Sequence, residues 1–219
     1  MNIIYSFLIG PMAWISFSIL IIGFIIKILY FFFLSKNKDP EVLRYYHIGY
    51  AFRSIVAWNI LFLAKSWRQN IPFTIATILF HISIFLIPIF LTAHVILIRM
   101  SWGISYFTLS ETISDIFTVV GLISAAYLFI RRIIDKKIRY ISTFQDYFLI
   151  CLCFLVLFTG FVSYHQFINY KFFICTHILL SELLIILIPI TKLSHIIFAP
   201  ILRGYIGSEF GRIRNVYDW

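Results

Sequence analysis

Long apolar runs alternate with short, mostly basic connections along this chain. A membrane span needs about 20 apolar residues to cross the hydrocarbon core, and the pattern predicts five spans, over 8–33, 73–98, 113–130, 147–164 and 172–197. Lipid offers no partner for an open backbone, so each run is expected as a helix. The fold class expected is an all-α, five-helix transmembrane bundle. No repeat or low-complexity linker interrupts the runs, and a single membrane domain over 1–219 is expected.

Two polar segments stand apart from the spans. Residues 35–70 form the longest connection, and 52–67 mixes Arg53 and Lys65 with Trp58, Leu61, Phe62 and Trp67. That mixture reads as an amphipathic helix on the inner membrane surface, or as a lid packed against the bundle ends. The tail 200–219 combines glycines with Arg203, Arg212, Arg214, Tyr217 and Trp219. Too short for a core of its own, it reads as a docking strip or a membrane-surface tail.

Composition sharpens the class. Hydrophobic residues make up 62% of the chain, charged residues 12%, and the mean hydropathy is +0.97, which excludes an ordinary soluble domain. A signal peptide would begin basic and stay short, whereas the first 34 residues carry only Lys27 and remain apolar too long; this segment is expected to stay as a span. The net charge of +9 lies almost wholly in connections, so membrane lipid rather than nucleic acid accounts for it. Fifteen Lys and Arg fall on one side of the expected topology and only Arg99 and Lys171 on the other, with Lys27 inside the first span. The positive-inside rule therefore puts the N-terminus outside and the C-terminus in the cytoplasm, in a multi-pass protein of the cytoplasmic (inner) membrane.

Cys151, Cys153 and Cys175 lie in apolar runs without CxxC or CxxCH spacing and read as packing residues. Phosphate loops, nucleophile elbows and HExxH motifs do not occur. The candidate chemistry lies in four histidines instead. His81 and His94 fall in the second span, His177 and His195 in the fifth. An ionisable side chain inside the bilayer is costly, and neutral imidazole is a common axial ligand of haem iron.

Spans two and five run in opposite directions, so the antiparallel arrangement predicts the couples His94 with His177 near the outer face and His81 with His195 near the inner. The thirteen-residue interval in span two gives a rise of about 20 Å and the eighteen-residue interval in span five about 27 Å. Eighteen residues are five whole turns and keep both ligands on one face. Thirteen leave His81 and His94 about 140° apart, so a kink at Pro88 is expected to re-aim one of them. His47 and His165 read as solvated or interfacial.

FHISIFLIPIFLTAH (80–94), RYISTFQDY (139–147), HILLSELLIILIPITKLSHI (177–196) and RGYIGSEFGRIRNVYDW (203–219) carry a resemblance. The chain resembles the gamma subunit of respiratory nitrate reductase, a dihaem cytochrome b. More closely, it resembles the cytochrome b subunits of the transmembrane redox complexes of sulfate reducers. The resemblance implies an electron-transfer subunit of a quinol-linked complex in anaerobic respiration. Its cofactors would be two b haems on His81, His94, His177 and His195, and its substrate menaquinone or menaquinol. A cytoplasmic iron–sulfur subunit would be its partner, with an extracytoplasmic multihaem cytochrome c as a further candidate. In the nitrate reductase subunit the second-helix histidines stand closer together, and its quinone-binding lysine has no clear match here.

Three further polar residues are candidates for a quinone or propionate site. Glu182 lies a little over one turn from His177, and Arg99 and Trp102 close the outer end of span two. Their alternatives are a neutral acid bonded to a neighbour and a pair of interfacial anchors. Arg131, Arg132 and Lys192 sit at inner helix ends, as propionate contacts or topology signals. Two other functions remain open: a proton or ion transporter using a His/Glu relay, and a cofactor-free structural anchor.

Overall fold

The computed structural model describes residues 2–38, 44, 46–60, 62–63 and 65–213, and every regular element in them is helical. Arg214, Tyr217 and Trp219 of the expected docking strip lie outside the described residues. In chain order the described helices of six residues or more are α1 (Ile3–Lys38), α2 (Ile48–Asn59), α3 (Ile71–Phe90), α4 (Thr92–Trp102), α5 (Glu111–Ile134), α6 (Lys136–Ile141), α7 (Phe144–Tyr164), α8 (Tyr170–Ile190) and α9 (His195–Ser208). Five of them, α1, α3, α5, α7 and α8, are long and apolar enough to cross a membrane.

The spans begin where polar side chains can cap them. Ser110 accepts from the Ile113 N–H at the start of α5, and Thr143 and Asp146 form a reciprocal capping box on α7. Each satisfies amide groups that the first turn leaves without partners. These caps carry the helices past the purely apolar stretch, which is why both start earlier than hydropathy alone indicates.

The second expected span is two helices. Pro88 lacks the N–H that an inner turn requires, and three residues later Leu91 is extended (φ −67°, ψ 132°). The Ile89 and Phe90 carbonyls lose their helical partners there. The Tyr106 hydroxyl donates to Ile89 O at 2.8 Å and the Leu109 N–H to Phe90 O at 3.0 Å, while the Phe107 ring stacks on Phe90. The segment after α4, released by Gly103 at φ +71°, thus closes the break.

The fifth expected span is also interrupted. Helix α8 ends at Ile190 just after Pro189, a 3₁₀ turn covers Lys192–Ser194, and α9 restarts at His195. The five-turn count between His177 and His195 assumed one continuous helix and does not apply.

The chain forms two compact units, one of residues up to 13 and 72–184, the other of residues 14–71 and 185 onward. In the first, α5 packs on α7. At Gly121, α5 comes so near α3 that a Cβ there would meet Ser83 Cβ at 2.7 Å. Ser83, Ser114, Thr118 and Ser124 are buried in this unit, small side chains of the kind that let membrane helices approach closely. In the second unit, α2 lies along α9: its buried positions Ala51, Ser54 and Ala57 share one face, and Gly204 and Gly207 oppose them. Only 52–59 of the segment 52–67 belongs to α2, and Leu61 lies outside the described residues. The outer face of α2 still shows Ile48 and Phe52.

Candidate cofactor site

The first unit brings His94 of α4 and His177 of α8 together. Their rings are parallel within 9° and their centres are 6.1 Å apart. Two imidazoles bound to opposite sides of one metal, with metal–nitrogen bonds of about 2 Å and about 1 Å from nitrogen to ring centre, stand about 6 Å apart. The break at Leu91 is what aims His94: its Nδ1 reaches Ile87 O at 3.2 Å, seven residues back, a contact that a straight helix would not place alongside.

All four candidate ligands share one hydrogen-bonding arrangement. Nδ1 of His81 lies 2.7 Å from Thr77 O, Nδ1 of His94 lies 3.2 Å from Ile87 O, Nδ1 of His177 lies 3.0 Å from Val156 O, and Nδ1 of His195 lies 2.9 Å from Lys192 O. A carbonyl only accepts, so each Nδ1 is the donor, and in the neutral ring the lone pair is on Nε2. Metal-bound histidines are fixed in this way by a bond from the other ring nitrogen.

Helix α7 forms the seat of His177. It contributes the Val156 carbonyl and, one turn on, Gly160, where a Cβ would lie 2.8 Å from His177 Cε1. Only a residue without a side chain leaves room for that ring.

The donor set fits a haem better than a bare ion. Two imidazoles stand 6.1 Å apart, and among the described residues no group of three or more His, Cys, Asp or Glu gathers to hold a metal ion. A porphyrin supplies the four in-plane ligands that such a couple lacks. His81 belongs to the first unit and His195 to the second, and each is prepared by its own carbonyl.

The remaining candidates separate clearly. Glu182 is buried in α8, and neither carboxylate oxygen has a hydrogen-bond partner. Arg99 and Trp102 stand in the last turns of α4, beyond His94, with Trp102 exposed. Arg131 is stacked over Phe73 at 4.2 Å, and Arg132 is engaged with Ser142 and Asp146. Lys192 lies in the 3₁₀ turn and offers its carbonyl to His195. The His47 N–H donates to Ser208 Oγ at 2.6 Å. His165 Nε2 bonds Asp115 at 2.8 Å, beside a Tyr164–Glu111 bond, at one end of α5 and α7.

Reading the sequence missed the seat at Gly160, the Tyr106 and Leu109 closure, and the surroundings of Lys27. A lone glycine in an otherwise apolar span was the available signal for the first. The second has no local signal, because Tyr106 lies 17 residues from the carbonyl it satisfies.

No family profile matches the chain. It is 30% identical over 210 residues to a protein of Nitratidesulfovibrio vulgaris strain Hildenborough, an alignment that covers 94% of this chain and 93% of that one.

Proposed function

We propose, for a chain that belongs to the same family as the Nitratidesulfovibrio vulgaris protein, the function of a membrane-anchor cytochrome b. It relays electrons between the menaquinone pool and a cytoplasmic iron–sulfur partner. His94 and His177 hold one haem b, and His81 and His195 provide the ligands of a second. The N-terminus faces out and the C-terminus faces the cytoplasm, as the distribution of Lys and Arg indicates. The observation that carries the reading is the pair His94 and His177: parallel rings 6.1 Å apart, each with Nδ1 committed to a carbonyl.

Haem, when bound, supplies the one-electron redox centre; the protein supplies position and surroundings. Val156, Ile87, Thr77 and Lys192 hold the imidazoles in the tautomer that presents Nε2. Gly160 keeps the space that His177 occupies. Quinol oxidation releases protons, and Glu182, buried without a partner five residues from His177, suits their transfer. Arg99 and Trp102 are the residues we assign to a quinone head or a haem propionate at the outer end.

The test is optical. Purified protein should show the b-type absorption band near about 560 nm expected of low-spin bis-histidine haem. His94→Ala and His195→Ala should each remove one of two haems. A preparation without that band would defeat the reading and favour a His/Glu proton relay.

A further inference from the structure

Lys27 stands nine residues before Lys36 in α1, about 14 Å along the helix and well inside the apolar span. A cation at such depth is costly unless it meets partners. In the second unit its Nζ lies 3.1 Å from Pro189 O and 2.6 Å from Ser194 Oγ, at the break between α8 and α9. The Phe198 ring lies on another side, 5.7 Å from Nζ. One turn earlier, Gly23 lets α1 come close: a Cβ there would be 2.8 Å from Pro189.

These contacts leave the ammonium short of partners. It has three donor hydrogens, and the described structure gives it two oxygen acceptors, both neutral. The carbonyl end of a helix carries about half a negative charge, so the end of α8 offsets only about half of the lysine's charge. A carboxylate would supply both the missing acceptor and the missing charge. Ser194 is adjacent in sequence to His195, so this position and a proposed iron ligand share one turn.

We propose that Lys27, together with Ser194, binds a carboxylate of the cofactor that His195 ligates, a haem propionate. The assignment rests on the cytochrome b reading above. It makes Lys27 a positioning residue for the cofactor, and the broken fifth span the frame that holds it.

The test uses the full chain purified with haem carrying ¹³C at its propionate carboxylates, compared with Lys27→Met and Lys27→Arg. Infrared redox difference spectra report the labelled groups directly, and the b-type absorption reports haem content. The label-sensitive bands should shift in Lys27→Met and return towards their original position in Lys27→Arg, each read in the haem-loaded fraction that the b-type absorption reports. Lys27→Gln takes the place of Lys27→Met if the latter does not accumulate. Identical bands in all variants would overturn the assignment, the result expected if an anionic lipid headgroup were the partner of Lys27. A protein with no b-type absorption at all would instead defeat the cytochrome reading, so the two failures are distinguishable.

Discussion

Gly160 and His177 are in contact across α7 and α8: a Cβ on the glycine would come within 2.8 Å of Cε1 and 3.0 Å of Nδ1 of the imidazole. The same helix holds that ring through Val156 O at 3.0 Å. Gly160→Ala should therefore push the ring off its carbonyl while leaving α7 itself intact. Partners of a metal-binding histidine typically contribute 10- to 100-fold in affinity. We expect haem bound through His94 and His177 to be lost by about that factor, with the His81 and His195 component retained. Haem titration of the purified variant measures both, and full retention of both would count against the seat.

Tyr106 makes a separate contribution to the same couple. Its hydroxyl satisfies Ile89 O at the break that aims His94. Tyr106→Phe preserves the ring and removes the donor, so the carbonyl loses its partner at a cost of about 1 kcal/mol, near the low end for an unmet acceptor because the site is exposed. Thermal melting in detergent, followed both at the haem band and by helix content, should show the haem band lost first. A single coincident transition at the unmodified temperature would show that the closure does not matter.

Packing of α2 on α9 gives a prediction that does not depend on any cofactor. A Cβ on Gly207 would clash with the Ser54 side chain and lie 3.1 Å from Tyr50 O. Overpacking typically costs about 1–3 kcal/mol, so Gly207→Ala should loosen α2 and raise its susceptibility to protease. Ser54→Gly removes the opposing side chain, and the double variant should recover part of the loss. Additive losses in the double variant would place the contact elsewhere.

The five spans were legible because bilayer thickness imposes a length and an apolar composition that a sequence shows directly. Pro88 announced a disturbance in the second span, but its extent was not readable. Whether a proline bends a helix or ends it depends on what satisfies the freed carbonyls, and here Tyr106 and Leu109 come from beyond α4. Pro189 carries the same signal in the fifth span, where the helix ends one residue later and a 3₁₀ turn follows. The couple of His94 with His177 followed from antiparallel direction alone, whereas its ring geometry required the Leu91 break and the Gly160 seat.

His165 offers the control for the ligand assignment. It is a fifth histidine near the membrane spans, yet its Nε2, the nitrogen that His94 and His177 would present to iron, is bonded to Asp115 at 2.8 Å. Aromatic rings of Phe161 and Phe167 enclose it, with centres 4.7 and 5.1 Å away. Both members of this contact are partly exposed, and polar contacts at exposed sites contribute about 0–1 kcal/mol. His165→Ala should thus leave both haems in place and lower the melting temperature only slightly, whereas His177→Ala, an equally small truncation, should remove one haem. Because the two substitutions delete the same atoms, equal haem loss in both would mean that general disruption of the membrane helices, not ligation, accounts for the loss.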